Sequence, residues 1–509
     1  MRAMRRMREA RRGQRWPSAV LLAGLVLLAA GVQAQAPPAQ WVVAAGEEAE
    51  SLDPPTSMLF TSEVYQQHLF DTLIGIEGDD LKPVGLLAER WEIVNPTTWR
   101  FTLRKGVKFH NGKPLDVEDV RYSFQQYADT KNRRSTFARG IVRIDVRDAT
   151  TFDLVTAEPN ASLLFNLARL QILPREAREK AGGPAFTQQP IGTGPYRFVE
   201  WKRDEQLVLE ANPDYWRGPI HPKRLVFRPI KDATTRAAEL RSGGVHIIAG
   251  PPAPQLDVLD TGDTRVVPVK GGRVIIYLFN LTQPPFNNPK VREAVNLAVN
   301  REAIVKSVLG GRGVVLTGPF TSAWLGHDPE VKPHPYDPAR ARALLAEAGY
   351  AQGFDTMWAI SSGVFLKDRE IAEAVSAMLR QVGVRVTLVP TERAKIQKDV
   401  QEGTFQGMSS VAWGTQFEPD PMINWVFARP HLGTPRIQEL VKRGRTETNL
   451  ETRRKTYQEL HRLAHEEATW LFVHAQDELW AKRRDVPWTP YNITGSKAIV
   501  YYFQVPGAR

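Results

Sequence analysis

Apolar and polar residues alternate along Trp99-Arg100-Phe101-Thr102-Leu103-Arg104, the period-two pattern of a strand with one buried face. Val107 and Phe109 extend that alternation, and Asn111-Gly112 supplies a tight turn. Asp116 then stands as an N-cap before Val117, Val120, Phe124 and Tyr127 at helical spacing. Around 196–209, Tyr196, Phe198, Leu207 and Leu209 mark two strands joined by the polar Lys202-Arg203-Asp204-Glu205. Further along, Asn288 caps and Pro289 opens a helix in which Val291, Ala294, Val295 and Ala298 fall at i, i+3, i+4 and i+7. Gly310-Gly311 ends the next helix. Asp337-Pro338 begins another that Gly349 closes, and Ile371, Val375, Met378 and Leu379 build one that stops near Gly383. Val384-Arg385-Val386 returns as a strand, so the stretch 270–480 has the rhythm of an α/β lobe.

The amino-terminal pattern is different. Seven arginines between positions 2 and 15 precede the apolar run Ala19–Ala30, and Val32-Gln33-Ala34 offers small residues for a signal peptidase. This reads as a cleavable secretory signal over residues 1–34. The 12 continuous apolar residues fall short of the ~20 needed to span a bilayer. Cysteine is absent, which excludes a lipid anchor on cysteine, disulfides and thiolate metal sites. Removing seven Arg and one Glu with the signal lowers the net charge from +11 to +5, a mixed surface that asks for no nucleic acid. The 475 residues left from 509 exceed what one hydrophobic core usually serves, so two or more lobes are expected.

The block from Trp99 to Phe124 resembles, over its whole length, one found in family 5 extracellular solute-binding proteins, the ligand-capturing subunits of dipeptide, oligopeptide and nickel ABC importers. Leu52-Asp53-Pro54, Gly192-Thr193-Gly194-Pro195-Tyr196, Asn288-Pro289-Lys290-Val291-Arg292, Tyr336-Asp337-Pro338 and Asp420-Pro421 are similar to further landmarks in the family's order. The resemblance implies an α/β, bilobal periplasmic-binding-protein-like fold with the ligand cleft between two lobes. The expected layout is a first lobe over 35–270 with an inserted subdomain at about 85–185, a second lobe over 271–480, and a return to the first lobe over 481–509. It also implies a periplasmic monomer that carries a small, peptide-like or other polar solute to permease subunits in the inner membrane, without cofactor or catalytic residues; nickel binding through a metal chelate stays open in the family, with His68 or His431 taking part, but no spacing in the chain argues for a metal site.

On that resemblance the ligand is expected near Phe60 and Thr61 after the Leu-Asp-Pro motif, near Tyr277 and Asn280, and along Trp413, Gln416, Glu418 and Asp420. Trp413 occupies the position of a family tryptophan that packs on the ligand, whereas Trp358 and Trp470 read as core. Peptide-binding members carry an aspartate three residues after this tryptophan for the α-ammonium, and this chain has Gln416. An enclosed ammonium without a carboxylate costs several kcal/mol, so free peptides are disfavoured unless Glu418 or Asp420 supplies the charge. His461 and His465 stand at i and i+4 but lack the Glu of the zinc-protease arrangement, and read as solvated helix-face residues. Lys442-Arg443-Gly444-Arg445 and Lys482-Arg483-Arg484-Asp485 likewise read as solvated faces, or as docking points for a permease. Two rival functions stay open: an exported hydrolase using Glu418 and Asp420, and a sensor that presents its ligand without transport.

Overall fold

The computed structural model describes residues 39–490 apart from 58–59, 79–80, 130, 133, 362–364 and 415–417. The amino-terminal signal and most of the 481–509 return therefore lie outside the described residues.

Apolar runs without alternation become strands buried on both faces. In Thr264–Phe279, Val274, Ile276 and Leu278 enter one core cluster, and Ile275, Tyr277 and Phe279 enter another. In Gln40–Ala45, Trp41 and Val43 face one cluster and Val42 and Ala44 a second. Successive side chains of a strand point to opposite faces, so each run seals two cores of a sheet covered on both sides. Helices supply the other half of each core: Pro289–Leu297, Pro338–Glu347 and Asp368–Arg380 on one side, Asp420–Phe427, Pro435–Thr446 and Leu450–Glu466 on the other.

The main path of this sheet runs Val384–Pro390, Phe354–Ile360, Met408–Gly414, Thr264–Phe279, His474–Arg483, Ile247–Ala249, Gln40–Ala45, Arg224–Pro229, Gln206–Ala211 and Tyr196–Lys202. Its two central strands, Thr264–Phe279 and His474–Arg483, are antiparallel and join two halves with separate cores. Val266 and Val269 pack in the cores of one half, whereas residues from Val274 onward pack in those of the other. Between them the ladder slips at Val269/Arg273. Gly271 there takes φ +60 and donates its N–H to buried Asp477 at 3.0 Å, while Lys270 pairs with the other carboxylate oxygen at 2.7 Å. Such a bulge bends and twists the strands at the crossing.

A separate four-stranded sheet, ordered Ala88–Asn95, Thr98–Leu103, Thr151–Thr156 and Ile141–Val146, packs Trp99, Phe101 and Leu103 against the helix Val117–Ala128. Asp116 caps that helix by a reciprocal capping box with Asp119. Val107 and Phe109 do not continue the strand as their alternation suggests, because Gly106 at φ +79 turns the chain; both are still buried in the same core.

Two of the sequence landmarks act as locks. Asp53 is fully buried in a bidentate pair with Arg178 at 2.9 and 2.7 Å. Gly192 and Gly194 lie so close to the chain at Leu69 that an added Cβ would come within 1.9 Å of its carbonyl oxygen at Gly192, and within 2.5 Å of its carbonyl carbon at Gly194. Thr193 between them donates to Asp71, which also accepts from Tyr215 and Trp216; burial outweighs these donors and lifts the Asp71 carboxyl to about 6.

Candidate ligand-binding site

Where the two halves meet the chain flanking the four-stranded sheet, they line an open cavity of about 990 Å³. One wall comes from the chain around the four-stranded sheet: Phe137, Arg139, the stretch 157–160, Asn166 and Arg169, with Glu63 of the helix Phe60–Leu69. The opposite wall is Trp413 with the helices Asp420–Phe427 and Pro435–Thr446, and the floor is Val269, Gly272, Arg273 and Glu478 at the strand crossing.

Helical spacing explains the second wall. Met422, Ile423, Val426 and Phe427 are buried, which leaves Asp420, Pro421, Asn424 and Trp425 together on the cavity face. In the next helix Ile437, Leu440, Val441 and Gly444 are buried, and Lys442, Arg445 and Thr446 face the cavity. Trp413 and Trp425 meet with ring centroids 5.9 Å apart and planes tilted by 48°, giving a partly exposed aromatic wall. Across the cavity, Arg169 lies 4.3 Å over the Phe137 ring and grips Glu63 through two hydrogen bonds of 3.0 and 2.7 Å.

The expected residues divide sharply. Trp413 and Asp420 line the cavity. Glu418 does not: its side chain is buried and holds Arg453 through contacts of 2.6 and 2.8 Å, and it accepts the Asp420 N–H at 2.8 Å. Tyr277 is corrected to a core residue, set edge-on to Trp358 at 5.0 Å. Asn280 is also buried away from the cavity, donating to the Gly403 and Phe405 carbonyls at 3.1 Å each. Thr61 sits on the helix Phe60–Leu69 and reaches Glu47 at 3.5 Å rather than the cavity. Phe60 begins that helix, with a side chain outside the described residues, and Gln416 lies outside them altogether. Trp358 and Trp470 are core residues, as expected.

His461 is corrected too: far from being solvated, it is fully buried, stacked on Phe320 and bonded to Thr317 at 3.1 Å. Burial holds it neutral, pulling its pKa down to about 3. Among the described residues no group of three or more His, Asp or Glu has the arrangement to hold a metal ion.

Asp420 is the most perturbed acid of the cavity. Burial, reinforced by the Glu418 charge, raises its carboxyl to about 6 against the opposing pull of Arg445 at 3.3 Å. Sequence reading missed Glu63, Phe137, Arg169 and Trp425. Of these only Trp425 had a local signal, as an aromatic residue off its helix's apolar stripe.

Residues 82–432 match the family described as bacterial extracellular solute-binding proteins, family 5 middle. The chain belongs to this family. It is 29% identical over 448 residues to heme-binding protein A of Haemophilus influenzae, covering 80% of this chain and 81% of that protein. It is 29% identical over 461 residues to the glutathione-binding protein GsiB of Pectobacterium atrosepticum, covering 88% and 87%. Among solved structures, that of HbpA2 from Haemophilus parasuis superposes with a TM-score of 0.81 at 26% identity, covering 91% of this chain and 99% of that one. The bilobal α/β fold expected from the sequence is thus the fold of this solute-binding family.

Proposed function

We propose that this protein is the periplasmic receptor of an ABC importer, which traps a small organic solute in the cavity between its halves and hands it to a membrane permease. The observation that carries the reading is the cavity itself. Its walls come from parts of the chain with separate cores, joined through two strands that bend at Gly271, and about 990 Å³ is room for a whole small solute. A guest that touches both walls favours the closed arrangement by its extra affinity for that arrangement. Trp413 and Trp425 supply an aromatic face and the charged rim supplies orientation.

Gln416 in place of the peptide-binding aspartate supports a solute other than an ordinary free peptide. The relatives named for heme and glutathione make hemin and glutathione sensible first probes. The hydrolase reading loses support because Glu418, one of the two acids it names, is committed to Arg453 and does not line the cavity. Native mass spectrometry of freshly purified protein, followed by calorimetry and small-angle scattering with the identified solute, tests the reading. Stoichiometric binding with compaction, and recovery of the solute unchanged, is expected. Turnover of the solute, or a scattering profile that stays fixed across a broad solute panel, would refute it.

A further inference from the structure

We infer that the cavity selects an organic anion: a solute bearing separated carboxylates on a flat apolar body. The inference rests on the reading of the cavity as the binding site and names the class of guest.

The charges on the wall are unbalanced. Six cationic side chains, Arg139, Arg169, Arg273, Arg429, Lys442 and Arg445, face four acids, Glu63, Glu158, Asp420 and Glu478. Three of the acids are already neutralised: Glu63 by Arg169, Glu478 by Arg273 at 2.9 Å, and Asp420 by Arg445 at 3.3 Å. What remains is Arg139, Arg429 and Lys442 against the exposed Glu158. Arg429 donates to the Trp425 carbonyl and lies 5.5 Å over the Trp425 ring, contacts that orient its guanidinium without cancelling its charge. The side chains of Arg139 and Lys442 have no hydrogen-bond or ionic partner among the described residues.

These cations stand on opposite walls. Arg139 follows the short helix Ser135–Ala138, and Lys442 lies on the helix Pro435–Thr446. Bringing the walls together around an uncharged guest draws like charges into a less polar space, whereas an anion that bridges them turns the same approach into attraction. The charge therefore both selects the guest and supplies its preference for the closed form. Single cations on separate elements suit separated carboxylates; one phosphate would be better served by donors converging on one point. The Trp413–Trp425 wall takes the apolar body.

The test uses four probes with the purified protein freed of co-purified solute: N-acetyl-Trp-Glu, its diamide, tryptamine and phenyl phosphate. Calorimetry is expected to show the dicarboxylate binding about tenfold or more tighter than the diamide. That binding should weaken severalfold between about 50 and 300 mM NaCl. Lys442→Gln, at an exposed position, should cost the dicarboxylate about fivefold in affinity while leaving the unfolding midpoint unchanged. The inference is overturned if the diamide or tryptamine binds as well as the dicarboxylate, if phenyl phosphate binds best, if none of the four binds, or if Lys442→Gln and Arg139→Gln both leave the dicarboxylate's affinity intact. Failure of the receptor reading shows itself separately, as the absence of compaction with any solute of the broad panel.

Discussion

Replacing Arg453 by Met should be among the most damaging single changes in this chain, and the structure says by how much. Its guanidinium is 1% exposed and Glu418 is 5% exposed, with two charged contacts of 2.6 and 2.8 Å between them. Arg453 also donates to the Gly444 carbonyl at 2.7 Å, and to Ser162 and Tyr457 at 3.1 Å each. Without it, Glu418 is left buried and charged with the Asp420 N–H as its remaining described donor. Breaking a buried pair from one side costs about 3–5 kcal/mol, because the stranded charge has lost its water and its partner. Arg453→Met and Glu418→Gln should each approach that loss. The double variant buries no charge, so it should recover about 2 kcal/mol or more relative to the sum of the singles. Urea unfolding followed by tryptophan fluorescence for the four proteins gives the coupling. A single Arg453→Met within about 1 kcal/mol of the parent, or a double variant as poor as the summed singles, would refute the reasoning. The same series separates this account from the sequence expectation that Glu418 reads the ligand. On that expectation Glu418→Gln would keep stability and lose affinity.

Three further outcomes are expected. Trp413→Ala should lower solute affinity about tenfold with stability nearly unchanged, since the ring is partly exposed on the cavity wall; equal affinity by calorimetry would exclude it from the site. Gly192→Ala should destabilise by several kcal/mol, because its Cβ would stand 1.9 Å from the Leu69 carbonyl oxygen, and a thermal midpoint within a degree or so of the parent would contradict that clash. Acid should destabilise the fold before carboxylates of ordinary pKa titrate. His68, His334, His461 and His474 are buried with pKa values near 3, so below about 6.5 the unfolded chain takes up protons that the folded chain refuses. Each such histidine costs up to about 1.4 kcal/mol per pH unit below its unfolded pKa. Asp71 and Asp420, raised to about 6, work in the opposite sense as they take up protons early in the folded state, but two carboxyls do not offset four histidines. Thermal midpoints that stay level from pH 7 down to pH 5 would disprove this balance.

Local order was legible in the sequence wherever a single element decides it. The Asp116 cap, the Pro289 helix start, the hairpin across Lys202–Glu205 and the return strand at Val384 are set by neighbours a few residues away, and each formed as read. The landmarks Asp53 and Gly192-Thr193-Gly194 could be recognised but not explained, because their partners Arg178, Leu69 and Asp71 lie more than a hundred residues distant. Site residues suffered most. Tyr277 stands in a continuous apolar run whose two faces are both buried, so the pattern cannot say that it meets Trp358 instead of a ligand. His461 failed for a related reason: Phe320 and Thr317, which cover it, come from outside its helix.

The basic run at Lys442–Arg445 carries this lesson one step further, since charge alone made it a solvated face or a docking point. Its four residues divide by helical angle and by partner. Arg443 turns outward to Glu459 at 2.6 Å, and Gly444 packs so tightly on Tyr457 that an added Cβ would come within 2.2 Å of the ring. That contact, with the Gly444 carbonyl held by Arg453, fixes the helix's rotation and so sends Lys442 and Arg445 into the cavity. The buried pair and the charged wall are therefore one construction. Gly444→Ala should accordingly disturb solute binding as well as stability, although the residue touches no solute, because rotating this helix moves Lys442. Measured beside Arg453→Met, a loss of stability with fully preserved affinity would show that the helix's seating does not govern the wall.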